Sequence, residues 1–359
     1  MSNEPTSTCA ERNVSLDLLR VLACLLVVWQ HTTEFYYIGD NGVFSAGNQA
    51  SVIGWLDSLA RTSVPLFVML SGYFLLPMRE TAASAFFKKR FARVLLPFVF
   101  WCIAYAVYYT FWRGDSVADC LDHIAHTPIN WGTEVGHLWY VYMIVGVYAI
   151  IPVISPWVRQ CGKREMRAYL LVWAFSTLLP YIHQVWPEVL GECSWNPTPT
   201  FYYFNGFAGF LLLGSYVRKY GAPSWQASAA MLVAGYAITA IVFNHQATVV
   251  TQAADVELSW NFCTINVAMM TLGLFGLISR VKLSHTSLVG RIVCRASVIS
   301  YSVYLAHIMV LNSVHETLAS QFSSVAAAIP LTAIITFVIT FVIMALCAKL
   351  PKAHLYLGT

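Results

Sequence analysis

Residues 16–37 read LDLLRVLACLLVVWQHTTEFYY, an apolar run that nonetheless carries Arg20 and His31. About 20 such residues cross a hydrocarbon layer roughly 30 Å thick, so the stretch is read as a membrane-spanning helix. Arg20 and His31 are eleven positions apart. At about 100° per residue that is close to three turns, which puts both side chains on one face, about 16 Å apart along the axis. One helix therefore joins a guanidinium at one interface to an imidazole in the middle or outer half of the membrane. Ionisable groups at that depth are expensive and point to function, although a neighbouring helix satisfying the imidazole is the plainer reading. Glu34 lies one turn beyond His31 on the same side. There it either orients the ring and raises its basicity or serves as an interfacial carboxylate.

The rest of the chain agrees with that helix. Of 359 residues, 58% are apolar and 11% charged. A soluble domain has about 45–50% and about 25%. The composition predicts an all-α, polytopic membrane protein. Ten apolar segments are long enough to cross: 16–37, 54–76, 92–112, 136–157, 167–184, 200–217, 225–244, 262–279, 296–314 and 328–348. With the N-terminus in the cytoplasm, 19 of the 21 basic residues fall on the inside, all but Arg61 and Arg113. The positive-inside rule then places both termini in the cytoplasm. The expected layout is a tail over 1–15, a membrane domain over 16–348 and a second tail over 349–359. The net charge of +4 is used up in this orientation and does not suggest nucleic acid binding. Asp40, Asp115, Asp119, Asp122, Glu134, Glu188, Glu192, Asp255, Glu257 and Glu316 collect in the outer loops. Aromatic residues at the outer ends of spans, including Trp139 and Tyr140, read as an interfacial belt, with stacking on a sugar as the second use.

The nine cysteines show no paired CxxC, and no His/Cys cluster has metal-ligand spacing, so no metal is expected. Cys120 and Cys193, both placed outside, are left open as a disulfide. Three of the ten histidines reach similar depth: His31 in the first span, His137 at the outer end of the fourth and His307 past the middle of the ninth. Together they suggest a polar cavity opening outward. At the inner interface the run Lys88-Lys89-Arg90-Phe91-Ala92-Arg93 puts two arginines three apart, suited to clamping phosphate oxygens. Taken alone it is equally a topology signal or an anionic-lipid contact. With Arg20 at the same interface it forms an anion site. Asp17 is in pairing range of Arg20, and Asp57 and Arg61 read as a structural pair inside the membrane. The sum is an anionic donor held on inner arginines, with its reactive end reaching His31 where an acceptor hydroxyl arrives.

These residues carry a resemblance. SLDLLRVLACLLVVWQH resembles the Arg-x10-His signature of the acyltransferase 3 family of integral membrane acyltransferases. RTSVPLFVMLSGYFLL at 61–76, RFAR at 90–93, HLWYVYMIVGVYAIIP at 137–152 and YSVYLAH at 301–307 follow in family order. The likeness is nearest to the short, stand-alone O-acetyltransferase branch that acts on enterobacterial common antigen. It implies about ten spans, acetyl-CoA or another acyl-CoA as donor on the cytoplasmic side, and O-acylation of a cell-surface glycan or lipid-linked sugar in a bacterial inner membrane. By position it implies His31 as the catalytic histidine with Arg20 as partner, Glu34 beside it, and Arg90, Arg93 and Lys89 toward the donor. Ser71, Gly72, His137, Trp139 and His307 fall in recurrent motif positions, and Ser71, His137, Trp139, Tyr140 and His307 are expected toward the acceptor. Family members with a fused extracytoplasmic domain often carry a glutamate pair after the HLW motif, where this chain reads Tyr142, Met143, Ile144. A proton-coupled transporter using the same histidines is the alternative, and a homo-oligomer is left open.

Overall fold

The computed structural model describes residues 12–79, 82–129, 135–187, 189 and 206–359. They form α1 (Val14–Glu34), α2 (Ala50–Ser58), α3 (Ser63–Leu75), α4 (Ala83–Trp112), α5 (Val117–His126), α6 (Trp139–Gln160), α7 (Lys163–Ser176) and α8 (Leu179–Val185). The second half adds α9 (Phe207–Tyr220), α10 (Trp225–Val249), α11 (Ala253–Val256), α12 (Ile265–Ile278), α13 (Leu288–Val298), α14 (Ser300–Leu318), α15 (Val325–Cys347) and α16 (Ala353–Tyr356). Among the described residues, β pairing is confined to two isolated bridges, Ile38 with Phe44 and Val43 with Gln252. The all-helix reading follows from the absence of water in a bilayer core, where a helix satisfies its own backbone.

Among the described residues, six helical stretches are long and apolar enough to cross a membrane, and eight if two bent pairs each count as one span. The bent pairs are α11 with α12 (46°) and α13 with α14 (77°). They correspond to the segments at 262–279 and 296–314. The segments at 167–184 and 200–217 overlap the 14-residue helices α7 and α9. Fourteen residues rise about 21 Å, less than the layer a straight span must cross. Residues 200–205 lie outside the described ones.

Helix α1 is the hub, packed against α3, α13, α14 and α15. Asn13 caps it, its side chain accepting from the amides of Ser15 and Leu16. Around it the basic residues close one end of the bundle by serving the carbonyls that helix ends leave unpaired. Arg159 donates to Met78 O (2.5 Å), Arg218 to Tyr73 O (3.1 Å), and Lys219 to Val158 O and Cys161 O (3.4 and 2.9 Å). Arg280 does the same for Gly276 and Pro223. Residues that charge patterning assigns to one side do meet at one end. The segment after 349 is no loose tail: Ala353 and Leu357 are buried, and the Leu357 carbonyl accepts from Trp101 Nε1 at 3.4 Å.

Two helix pairs approach closely enough to need glycine. A Cβ on Gly72 of α3 would lie 1.8 Å from the Leu211 carbonyl of α9, and one on Gly214 would lie 1.9 Å from Met69 O. Gly235 of α10 and Gly273 of α12 make a second such seam, 2.5 Å from Asn266 O and Ser228 O. Membrane helices lack a hydrophobic drive to associate, so close backbone approach at small residues is what holds them. We predict that Gly72→Ala lowers stability in detergent by about 1–3 kcal/mol, the usual cost of overpacking. Gly146→Ala, where a Cβ meets nothing within 4 Å, is the control and should leave the melting curve unchanged.

Candidate active site

His31, His137 and His307 come together. Their ring centroids are 6.2 Å (His31–His137), 5.3 Å (His31–His307) and 5.1 Å (His137–His307) apart. Each ring has one nitrogen committed to the protein. His31 Nδ1 is 2.9 Å from Glu34 Oε2, a carboxylate that only accepts, so Nδ1 carries the proton and Nε2 is left with a lone pair in the neutral ring. His307 Nδ1 donates to the Tyr304 carbonyl at 2.5 Å, and its buried Nε2 has no hydrogen-bond partner among the described residues. His137 Nε2 faces the Leu305 carbonyl at 3.4 Å. Three adjacent imidazoles therefore offer three acceptor nitrogens and no donor among themselves. What such a cluster lacks is a proton, which a hydroxyl can bring. Burial orders them: His307 and His137 are 0% and 4% exposed, whereas the His31 side chain is 17% and the Glu34 side chain 39% exposed, so His31 is the most accessible of the three rings.

Tyrosines line the path from this cluster to Arg20. The ring of Tyr304 lies 5.7 Å from His137, 5.9 Å from His307 and 5.1 Å from Tyr140. Its hydroxyl donates to the His137 carbonyl, and Tyr105 donates to Leu305 O at 2.8 Å, so both fix the loop and helix that present the histidines. Tyr140 and Tyr148 are electrostatic neighbours of Arg20, and Tyr148 is also a neighbour of Arg90. Arg90 in turn feels Arg93 and Arg79, and its buried Nε has no hydrogen-bond partner among the described residues. Arg93 and Lys89 are exposed.

Arg20 is held by a knot that includes α13. Arg20 Nη1 donates to Ser297 Oγ at 3.1 Å, and Ser297 Oγ donates to Asp17 Oδ1 at 2.5 Å. Arg12 completes it, with Nε 2.8 Å from Asp17 Oδ2 and Nη2 3.2 Å from Ser297 Oγ. Asp17 sits 3.7 Å from Arg20 and closer to Arg12, which takes most of its charge. Beside the knot a cavity of about 570 Å³ opens at the basic end, walled by Arg12, Arg280, Lys282 and His285.

A family model described as an acyltransferase domain, acyltransferase 3, matches residues 13–349. The chain belongs to the acyltransferase 3 family. No curated protein matches it, and no solved structure does. Membership in the family indicates acyl transfer and does not favour the transporter.

The acyltransferase's other motif residues divide by neighbourhood. Tyr140 lies against Tyr304 of the histidine group (5.1 Å), whereas Trp139 stacks on Phe262 (5.8 Å) and is tilted against Phe207 (6.0 Å) in a separate aromatic group. Ser71 Oγ donates back to Phe67 O at 2.9 Å, and Gly72 is occupied with helix packing. Among the described residues, no group of three His, Cys, Asp or Glu side chains is arranged to hold a metal ion. Cys193 lies outside the described residues, and Cys120 is a free thiol. Sequence reasoning did not find Tyr304, Tyr105, Tyr148 or Ser297. Tyr304 had a signal, being one turn before His307 within YSVYLAH; Ser297 and Tyr105 had none.

The pair Asp57–Arg61 is buried next to α1. Its charges are 2.5 Å apart and their side chains 0% and 7% exposed; Thr33 Oγ1 donates to Asp57 at 3.1 Å, and the guanidinium lies 3.9 Å over the Trp260 ring. Breaking a buried pair leaves a lone buried charge and costs about 3–5 kcal/mol. Asp57→Ala should therefore lower the melting temperature more than the Asp57→Leu/Arg61→Leu double substitution, which removes both charges. Thermal unfolding in detergent reads the difference.

Proposed function

We propose that this acyltransferase is a bacterial inner-membrane O-acyltransferase of the stand-alone branch, crossing the membrane about ten times with both termini in the cytoplasm. It takes an acetyl or other acyl group from acyl-CoA on the cytoplasmic side to a hydroxyl of a cell-surface glycan or lipid-linked sugar. The observation that carries this reading is the His31–Glu34 hydrogen bond within the three-histidine cluster, on the same helix as Arg20.

In this mechanism Arg20, Arg90, Arg93 and Lys89 hold the donor's phosphates. Guanidinium forks suit that task. Eleven residues of α1 carry about 16 Å of rise from Arg20 to His31, a distance the donor's acyl-bearing arm must follow. His31 Nε2 accepts the proton of the acceptor hydroxyl as its oxygen bonds to the thioester carbonyl carbon. The carbon–sulfur bond then breaks, the ester is released, and the sulfur leaves as thiolate and takes the proton back from His31. Glu34 stabilises the imidazolium while it carries that proton, as the carboxylate of a catalytic triad does. His137 and His307 accept hydrogen bonds from the acceptor sugar, with Tyr140 beside them. Ser71, Trp139 and the aromatic belt complete the acceptor side.

The test is CoA release from acetyl-CoA by purified protein in lipid, with and without a hydroxyl acceptor. His31→Ala should abolish release. Glu34→Gln keeps a hydrogen-bonding group but removes the charge, and should lower kcat by about 10²-fold with KM for acetyl-CoA little changed. The Arg90→Ala/Arg93→Ala double substitution should do the opposite and raise KM. Undiminished release by His31→Ala would overturn the assignment.

A further inference from the structure

The basic end of the bundle holds a second, separate cavity of about 500 Å³, between α7, α9, α10 and α12. It shares no residue with the histidine cluster, nor with Arg20 and Arg90. Its α7 wall is one stripe of a helix: Lys163, Arg167, Leu170, Leu171 and Ala174 recur at three- and four-residue spacing, so one face presents two cations and then only hydrocarbon. The α9 wall is a matching stripe of Leu213, Tyr216, Val217 and Tyr220. Met269 and Leu272 of α12 form the back.

The two ends differ in chemistry. At one end the Lys163 and Lys219 ammonium groups lie 5.6 and 5.4 Å from the Tyr220 ring, so positive charge gathers around an aromatic edge. At the other end Trp173 closes the groove: its indole donates to Gly206 O at 3.0 Å and lies where a Cβ on Gly209 would be only 2.1 Å away. From Lys163 to Ala174 the helix rises about 16 Å. That is close to half the thickness of the hydrocarbon core, the depth of one leaflet.

An apolar slot one leaflet deep, with two cations at its open end, matches an amphiphile with a negative head. We propose that this groove binds one anionic phospholipid of the leaflet facing the basic end. Its phosphate pairs with Lys163 and Arg167, and one acyl chain lies against Leu170, Leu213, Met269 and Leu272. The bound lipid fills the space between α7 and α9, and α9 is the helix whose other side makes the glycine seam with α3. The site is independent of acyl transfer and stands whether or not the reaction proposed above is correct.

The experiment is native mass spectrometry of the purified chain in detergent, titrated with phosphatidylglycerol or with phosphatidylcholine of the same acyl chains. A basic side chain near an anionic headgroup contributes roughly fivefold in affinity, so the two together should favour phosphatidylglycerol by about 25-fold. Lys163→Ala/Arg167→Ala should erase that preference while leaving weak retention of both lipids. Both residues are exposed on the first two turns of α7, so the fold should survive, which a melting curve checks. Met269→Trp, which fills the slot, should reduce retention of both lipids with CoA release unaltered. Equal retention of the two lipids by the wild type would overturn the proposal, as would an unchanged preference in the double variant or undiminished retention in Met269→Trp.

Discussion

A polar stripe cannot face lipid, and that constraint organises this molecule. Helix α1 carries Asp17, Arg20, Gln30, His31, Thr32 and Thr33 through a layer in which unpaired polar groups cost several kcal/mol each. The bundle supplies their partners. Gln30 Nε2 donates to Ala60 O, Thr33 to Asp57, Arg20 to Ser297, and His31 to Glu34 on its own helix. The surrounding helices are therefore a polar lining for α1 as much as a barrier around it. The three imidazoles meet there because α14 packs against α1 and the turn before α6 is tied to α14 by the Tyr304 hydroxyl donating to the His137 carbonyl.

The same constraint separates structural polar groups from reactive ones. Asp57 and Arg61 are a closed pair, seated against Trp260 and nearly inaccessible. Ser71 and Thr32 are satisfied by their own helices, returning their hydroxyls to carbonyls four residues back. The histidine cluster is unlike these: it leaves acceptor nitrogens without donors. In a water-poor interior that deficit is a standing affinity for a hydroxyl or a proton, and the partial exposure of His31 and Glu34 marks the way in.

Much of this was legible in the sequence because it depends on periods and charges along one helix. The eleven-residue spacing of Arg20 and His31, the Glu34 one turn beyond, the Asp57–Arg61 pair and the gathering of basic residues at one end are local or additive properties. The meeting of His31, His137 and His307 needed only similar depths in three spans. What the sequence withheld depends on packing between distant elements. Ser297 reaches Asp17 and Arg20 only because α13 turns by 77° from α14, and no composition signal marks that bend. The crossing count is likewise less direct than ten apolar runs suggest, since α7 and α9 are short and two other spans are broken. Gly72 looked like part of a reactive motif, yet its first duty is contact with the Leu211 backbone.

The central claim is that one face of α1 runs from donor phosphates to reacting carbonyl. It is tested most directly by a cryo-electron microscopy structure of the wild type with a non-hydrolysable acetyl-CoA analogue in lipid. The account predicts phosphate density against Arg20 and Arg90, and the analogue's carbonyl in the histidine cluster, within about 3–3.5 Å of an oxygen site that hydrogen-bonds to His31 Nε2. Phosphates bound elsewhere, or an acyl end more than one helical turn from His31, would contradict it.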